Sequence, residues 1–378
     1  MIENWDDLNL SDDLLRGIYR NGFEKPTPIQ CMSILPILEN KDIIAQSQSG
    51  TGKTGSFVIG SLSKIDTKVN EVQVLIIATT HELVKQIHNV VNSIGSVMEG
   101  LKTKTLIGGT SITNDINDIK EKMPQIIIGS VGRIYDMIRR KVIYLDKLKL
   151  FVLDEADELL SKGFKDQIHD VFQHINCEAQ IALFSATIPK EMINLTNKFM
   201  RDPIKIMLKP EELTLDCIQQ YYIALRNDSD KYDTLKELFS LLQVKQTIIY
   251  VNNINRVNDL YDAMIKDGYP VCYIHSSMEK GAREEALQQF RIGKFRVLIS
   301  SGITARGIDI QQVSIVINFD IIRDTNTYLH AIGRSGRYGR KGLAINFVTK
   351  QDIHIMRKIE SHYKIDIKEL PSNVNELI

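Results

Sequence analysis

Short runs of apolar, largely β-branched residues recur along this chain, separated by stretches whose apolar positions fall at helical spacing. In the first half the runs are Val74 to Ile77, Ile126 to Ile128, Phe151 to Leu153 and Ile181 to Phe184. In the second half they are Thr247 to Val251, Val297 to Ile299, Ile315 to Ile317 and Ala344 to Val348. Runs this short and nearly continuous in apolar character predict strands covered on both faces, and the stretches between them predict helices. Ile168, Val171, Phe172 and Ile175 share one face of such a helix, as do Met192, Ile193, Leu195 and Phe199 of another. Both faces read as core. The pattern is α/β with parallel sheets, built twice. Between the halves, Arg201 to Glu212 carries proline, charge and little periodicity. The expected division is therefore a first domain over residues 1–206, a linker over 207–217 and a second domain over 218–378.

Composition narrows the classes without choosing one. At 378 residues the chain is long for one domain and comfortable for two. Apolar residues make up 43% and charged residues 25%, which is ordinary globular chemistry. No apolar run approaches the roughly 18 residues a membrane span needs, so no membrane is expected. The opening Met1 to Asp13 is acidic and polar, unlike a secretory or mitochondrial leader. Cys31, Cys177, Cys217 and Cys272 are scattered without metal-ligand spacing, as free thiols of a reducing compartment would be. The expected location is the cytoplasm, with the nucleus open. The formal net charge is zero, which argues against coating nucleic acid through bulk positive charge and leaves room for a local basic groove. The basic clusters are Arg139 to Lys141 and Arg334 to Lys341.

Two motifs carry the chemistry. Ser47 to Thr54, SQSGTGKT, follows the apolar Ile43-Ile44-Ala45 and leads into a helix. Its backbone amides can face phosphate oxygens, Lys53 can reach the β- and γ-phosphates, and the Thr54 hydroxyl can ligate Mg²⁺. The strict pattern has glycine where Ser47 stands. Asp154 to Asp157, DEAD, follows Leu150 to Leu153, so its carboxylates emerge at the end of a buried strand. There Asp154 would hold the metal and Glu155 would orient the attacking water. Alone, one is a turn and the other a solvated helix start. In this order they specify a magnesium–nucleoside triphosphate site. Upstream, Gln30 can pair with the N6/N7 edge of adenine, which would select ATP. Downstream, Ser185-Ala186-Thr187 ends another strand, where hydroxyls can bridge to the DEAD carboxylates. Much later, Arg334 and Arg337 can both point at a γ-phosphate.

Those motifs together resemble the DEAD-box RNA helicases, and the stretches LLRGIY, GFEKP, FKDQI, KFMRDPIKI and EELTLD resemble the initiation factor 4A branch of that family. The resemblance covers essentially the whole chain. It implies two RecA-like domains and RNA-stimulated ATP hydrolysis coupled to local, non-processive unwinding of RNA duplexes, in translation initiation. Trp5, Phe23, Thr27 and Gln30 would surround adenine, and Gln48, Ser49, Gly50, Thr51, Gly52, Lys53 and Thr54 would hold the phosphates. Magnesium would be held by Thr54 and Asp154, largely through water. From the second domain, Asp309 would meet the ribose, Arg334 and Arg337 would act as arginine fingers, and Tyr338 would lie near the base. Ser185, Thr187 and His330 would couple the nucleotide to RNA. RNA phosphates would follow Thr80, Glu82, Gly108, Gly109, Ser130, Gly132 and Arg133 in the first domain. In the second they would follow Asn252, Asn253, Arg283, Ser301 and Gly302. Backbone amides and hydroxyls dominate this set, so binding independent of RNA sequence is expected. A monomer is implied, as is an external scaffold like the repeats of initiation factor 4G.

Several positions depart from the family pattern. His81 stands where arginine is usual, with Thr79 for a proline beside it; an unperturbed histidine is mostly neutral at pH 7. Val131 replaces another proline, Lys280 a glutamine, Gly302 an aspartate and Ala331 the arginine after His330. None of these removes Lys53, Asp154, Glu155, Arg334 or Arg337. The departures at His81, Gly302 and Ala331 motivate an alternative, an ATP-dependent RNA clamp or scaffold with weak unwinding. A GTP-driven switch would rest only on Thr349 to Asp352, far from the phosphate loop in sequence, where chance explains the match better.

Overall fold

A strand that is apolar on both faces needs a layer of helices on each side, and the chain builds this arrangement in each of two units. The computed structural model describes residues 2–47, 51–161, 163–188, 190–207, 218–241, 246–301, 313–335 and 342–371. The first unit contains those up to 207 and the second those from 218.

The first unit contains β1 (Ile43–Gln46), β2 (Val74–Ile77), β3 (Thr103–Leu106), β4 (Ile126–Gly129), β5 (Leu150–Leu153), β6 (Gln180–Ser185) and β7 (Ile204–Met207). They form one sheet in the order β3-β4-β2-β5-β6-β1-β7, with every described pairing parallel. Alternate residues feed opposite cores: Val74 and Ile76 pack on one face of the sheet, Leu75 and Ile77 on the other. The second unit contains β8 (Ile218–Leu225), β9 (Thr247–Val251), β10 (Val271–Ile274), β11 (Val297–Ser301), β12 (Ile315–Asn318), β13 (Gly342–Thr349) and β14 (Lys368–Glu369). Their order is β10-β11-β9-β12-β13-β8-β14, again parallel throughout the described pairings. Here Ile248 and Tyr250 face one core, and Ile249 and Val251 the other.

Parallel strands deliver all their carboxyl ends to one edge. In the first sheet Ile77 is in register with Leu153, Leu153 with Leu183, and Gln46 with Ser185. The residues that follow these strands therefore gather at one place, where ligands of open α/β sheets bind. Met207, the first position of the expected linker, is the last residue of β7; the remainder of that linker lies outside the described residues. Among the described residues no helix is long and apolar enough to cross a membrane.

Candidate functional site

The phosphate loop runs from the end of β1 into the helix Lys53–Leu62. Gly52 adopts φ 106°, a left-handed conformation that favours glycine, and opens the helix. Lys53 is only 9% exposed, and its ammonium donates to the Ser47 carbonyl at 2.6 Å. The buried hydroxyls of Ser47 and Thr51 bond to each other. The loop is held from one side by Gln30, itself 1% exposed. Gln30 Oε1 accepts from the Thr27 N–H at 2.8 Å, and Nε2 donates to the Gly52 carbonyl at 3.1 Å. Gln30 thus ties the helix Pro28–Leu38 to the loop, leaving one amide hydrogen for a base edge. Thr27 Oγ1 is buried without a partner, and a Cβ at Gly52 would lie 2.7 Å from it. That orphaned hydroxyl, beside Gly52 and a buried lysine, fits a nucleoside triphosphate.

Trp5, expected around adenine, is fully buried in the core. Its indole N–H donates to the Phe23 carbonyl at 2.8 Å, and the two rings meet edge to face at 6.4 Å. Trp5 positions Phe23; Phe23 remains partly exposed beside the loop.

At the end of β5 the chain turns sharply. Glu155 has φ 51°, an uncommon left-handed conformation for a residue with a side chain, and this turn starts the helix Ala156–Ser161. Asp154 and Glu155 are 4% and 8% exposed. Burial pushes the Asp154 carboxyl up to about 7; Lys53 opposes that shift, while Glu155 and Asp157 reinforce it. Thr79, just past β2, donates from Oγ1 to Glu155 Oε2 at 2.7 Å. The sequence motifs gave no hint of this contact, although Thr79 leaves a strand end adjacent to β5. Among the described residues no group of three or more acidic, histidine or cysteine side chains forms a metal cage. Magnesium that enters with phosphates and keeps its waters needs only one or two protein ligands, so Asp154 with Thr54 fits it.

The SAT strand end is bonded to the fourth residue of DEAD. Thr187 Oγ1 donates to Asp157 Oδ2 at 2.6 Å, and the Asp157 N–H donates to Ser185 Oγ at 3.2 Å. Ser47 N–H donates to the Ser185 carbonyl at 2.9 Å, so the phosphate loop, DEAD and SAT form one bonded cluster. Of the DEAD carboxylates to which these hydroxyls were expected to bridge, Asp157 is the one that Thr187 reaches.

Of the residues expected along RNA in the first unit, Thr80 caps the helix His81–Ile94, its hydroxyl accepting from the Leu83 N–H at 3.1 Å. Glu82 lies in the first turn of that helix, and Gly108 lies beside His81, a Cβ there falling 3.5 Å from Nε2. Gly109 adopts φ 79°. Ser130 precedes the helix Val131–Arg139, which contains Gly132. Arg133 is 8% exposed, ion-paired with the equally buried Asp115, and donates to the Thr110 carbonyl at 2.8 Å. Its guanidinium braces the loop after β3.

In the second unit, Asn252 and Asn253 follow β9, Arg283 lies in the helix Lys280–Arg291, and Ser301 ends β11. His330 is 3% exposed, and Arg334 Nε donates to its carbonyl at 3.2 Å. Ala331 is fully buried in the core of this unit. Gln48, Ser49, Gly50, Gly302, Asp309, Arg337 and Tyr338 lie outside the described residues.

A family model described as DEAD/DEAH box helicase matches residues 27–195, and one described as Helicase conserved C-terminal domain matches residues 230–339. The "ATP-dependent RNA helicase eIF4A" of Emericella nidulans is 46% identical over 376 residues, spanning 100% of this chain and 94% of the relative. The protein of the same name from Pyricularia oryzae is 46% identical over 377 residues, spanning 100% and 95%. Among solved structures, S. cerevisiae Dbp5 bound to RNA and ADP BeF3 matches with a TM-score of 0.87 at 34% identity, covering 97% of this chain and 95% of that one. A DEAD box protein of Methanococcus jannaschii matches with a TM-score of 0.60 at 32% identity, covering 98% and 99%.

Proposed function

This chain belongs to the DEAD-box helicase family, and from that membership we propose that it is an ATP-dependent RNA helicase of the initiation factor 4A type, acting in translation initiation. The observation that carries the reading is the single cluster in which Lys53, Asp154, Glu155, Ser185 and Thr187 meet at adjacent strand ends.

In the proposed reaction Lys53 and the loop amides bind the triphosphate, while Thr27, Gln30 and Phe23 line its base. Magnesium at Thr54 and Asp154, bound largely through water, would neutralise phosphate charge. Glu155 orients a water and accepts its proton as the water oxygen attacks the γ-phosphorus. The β–γ bridging bond breaks, and ADP and inorganic phosphate leave. Arg334 and Arg337 supply positive charge to the transferred group. The Asp157 bonds to Ser185 and Thr187 give nucleotide occupancy a route to the RNA-contacting segments. RNA is held through its backbone along Thr80, Glu82, Gly108, Gly109, Ser130 and Gly132, and along Asn252, Asn253, Arg283 and Ser301. The helicase works as a monomer in the cytoplasm, assisted by a scaffold resembling initiation factor 4G; the free thiols of Cys31, Cys177 and Cys272 suit a reducing compartment.

The test is ATP hydrolysis with and without single-stranded RNA, beside unwinding of a short duplex. RNA raises turnover in the native chain. Glu155→Gln binds ATP and RNA yet loses at least about 100-fold in turnover, the usual contribution of a positioned general base. Hydrolysis indifferent to RNA, or near-normal in Glu155→Gln, overturns the reading. The commitment of Arg133 to Asp115 favours a second reading, a clamp with weak unwinding. Turnover without strand release identifies it.

A further inference from the structure

The carboxyl ends of β8, β9, β12 and β13 surround a cavity of about 820 Å³ that the nucleotide chemistry does not use. Part of its wall is a closed ionic network. Lys231, 3% exposed, lies 2.7 Å from Asp320 and 2.8 Å from Asp228. Arg256 pairs with the same two carboxylates at 2.7 and 2.8 Å. Asp352 is occupied by Thr349, accepting from its N–H at 3.1 Å and its hydroxyl at 2.6 Å. Arg226, Arg323 and Lys350 are different. All three are exposed on the cavity wall, and their side chains have no hydrogen bond or ion pair among the described residues. Five basic side chains thus face three carboxylates, an excess of two positive charges concentrated on the unpaired groups.

The backbone adds to that field. Three helices, Lys231–Leu241, Ile254–Lys266 and Ile353–Tyr363, begin at this wall, which places their positive dipole ends beside it. Apart from Thr349 the neutral lining is amide (Asn227, Asn252, Asn253, Gln351), which can bond phosphate oxygens and sugar hydroxyls. Among the described residues no aromatic side chain lines the cavity, and the side chains that do line it offer no platform for stacking a base. The chemistry is that of a phosphate-ester backbone. Asn252 and Asn253, assigned above to RNA, form part of the same wall.

We infer that this cavity is a further phosphate-binding stretch for RNA, continuous with Asn252 and Asn253 and held by Arg226, Arg323 and Lys350. The inference rests on the helicase reading, and it lengthens the RNA footprint on the second unit without adding sequence preference. Free polyphosphate shares the ligand chemistry, so the test separates the two sources.

The full chain and an Arg226→Ala, Arg323→Ala, Lys350→Ala triple variant are titrated with fluorescein-labelled oligouridylate in about 50 and about 200 mM salt, with a non-hydrolysable ATP analogue present. Each lost single-strand phosphate contact takes about 0.7 from the log–log salt slope, so three flatten it by about 2. Between the two salts the native chain then loses roughly 20-fold more affinity than the variant. RNA-free ATP hydrolysis and the thermal midpoint stay unchanged, because the substituted side chains are exposed and unpaired. If the native chain binds RNA and the variant shows the same affinity and slope, the inference is overturned and the helicase reading stands. If the native chain binds no RNA, the helicase reading falls first. Inorganic tripolyphosphate closes the test: displacement of RNA from the native chain but not the variant supports the assignment. Tripolyphosphate binding that depends on the three residues yet leaves RNA untouched overturns it in favour of a small anion.

Discussion

Thr79 stands where the family usually has proline, a residue whose side chain can donate nothing. Here its hydroxyl donates to Glu155, the proposed general base, at 2.7 Å. A hydrogen bond to a charged group contributes about 1.5–3 kcal/mol, and orientation of the base is part of that. Thr79→Val keeps the shape and removes the donor. It is expected to lower RNA-stimulated kcat by about tenfold, close to 1.4 kcal/mol in the barrier. KM for ATP should hardly move, and Thr79→Ser should restore turnover; an unaltered kcat in Thr79→Val removes the role. Asp154 gives a second prediction, on stability. In the ligand-free fold burial holds its carboxyl near 7 against an ordinary 3.8. Between those values the native state keeps a proton that the unfolded chain has released, so stability falls as pH rises through this window. Asp154→Asn cannot ionise and escapes the loss. In chelator, denaturant unfolding at about pH 5 and about pH 8 should show a smaller pH-dependent drop for the variant than for the native chain. Equal drops would place the buried ionisation elsewhere.

At the scale of elements, the helices Pro28–Leu38 and Lys53–Leu62 pack so closely that Gln30 touches the phosphate loop. Gly55 makes the approach possible, since a Cβ there would fall 2.4 Å from Gln30 Nε2 and 3.2 Å from the Phe23 ring. Gly55→Ala is expected to push Gln30 off Gly52 and weaken ATP binding by about tenfold, with Gln30→Ala in the same chain adding little more because the contact is already lost. Titration with a fluorescent nucleotide reads both, and independent, additive losses would contradict the coupling. None of this was legible in the sequence, where Gln30 stands far upstream and Gly55 lies just past the phosphate-loop motif. What was legible were the central strands, because two-sided burial forces continuous apolar runs: Val74–Ile77 and Thr247–Val251 are observed where periodicity expects them. Edge strands escaped notice. Thr103–Leu106 and Ile204–Met207 have solvent on one side or more, so their polar residues hide the period. The motifs themselves were visible because chemistry restricts residue type, whereas the burial of Trp5 and the pairing of Arg133 with Asp115 depend on long-range packing.

At the scale of the molecule, each unit has a complete seven-stranded sheet with a hydrophobic cluster on both faces. Among the described residues each core cluster is drawn from its own unit, so residues 1–207 and 218–378 are each expected to fold alone and unfold cooperatively. The proposed chemistry divides differently. Lys53, Asp154, Glu155 and the Gln30 contacts all belong to the first unit, whereas Arg334, Arg337 and the Asn252 wall belong to the second. Separated, the first unit should bind nucleotide but lose the acceleration that arginine fingers give, about 10³-fold or more in related phosphoryl transfer. It should also show no stimulation by RNA, because half of the RNA contacts have gone with the other fragment. Calorimetry on each fragment and ATPase assays on the first, with and without RNA, check both expectations together. If residues 1–207 fold and hydrolyse ATP at the full chain's RNA-stimulated rate, Arg334 and Arg337 are not part of the reaction. If that fragment folds but binds no nucleotide, the cluster built on Lys53 and Gln30 is insufficient to hold ATP by itself.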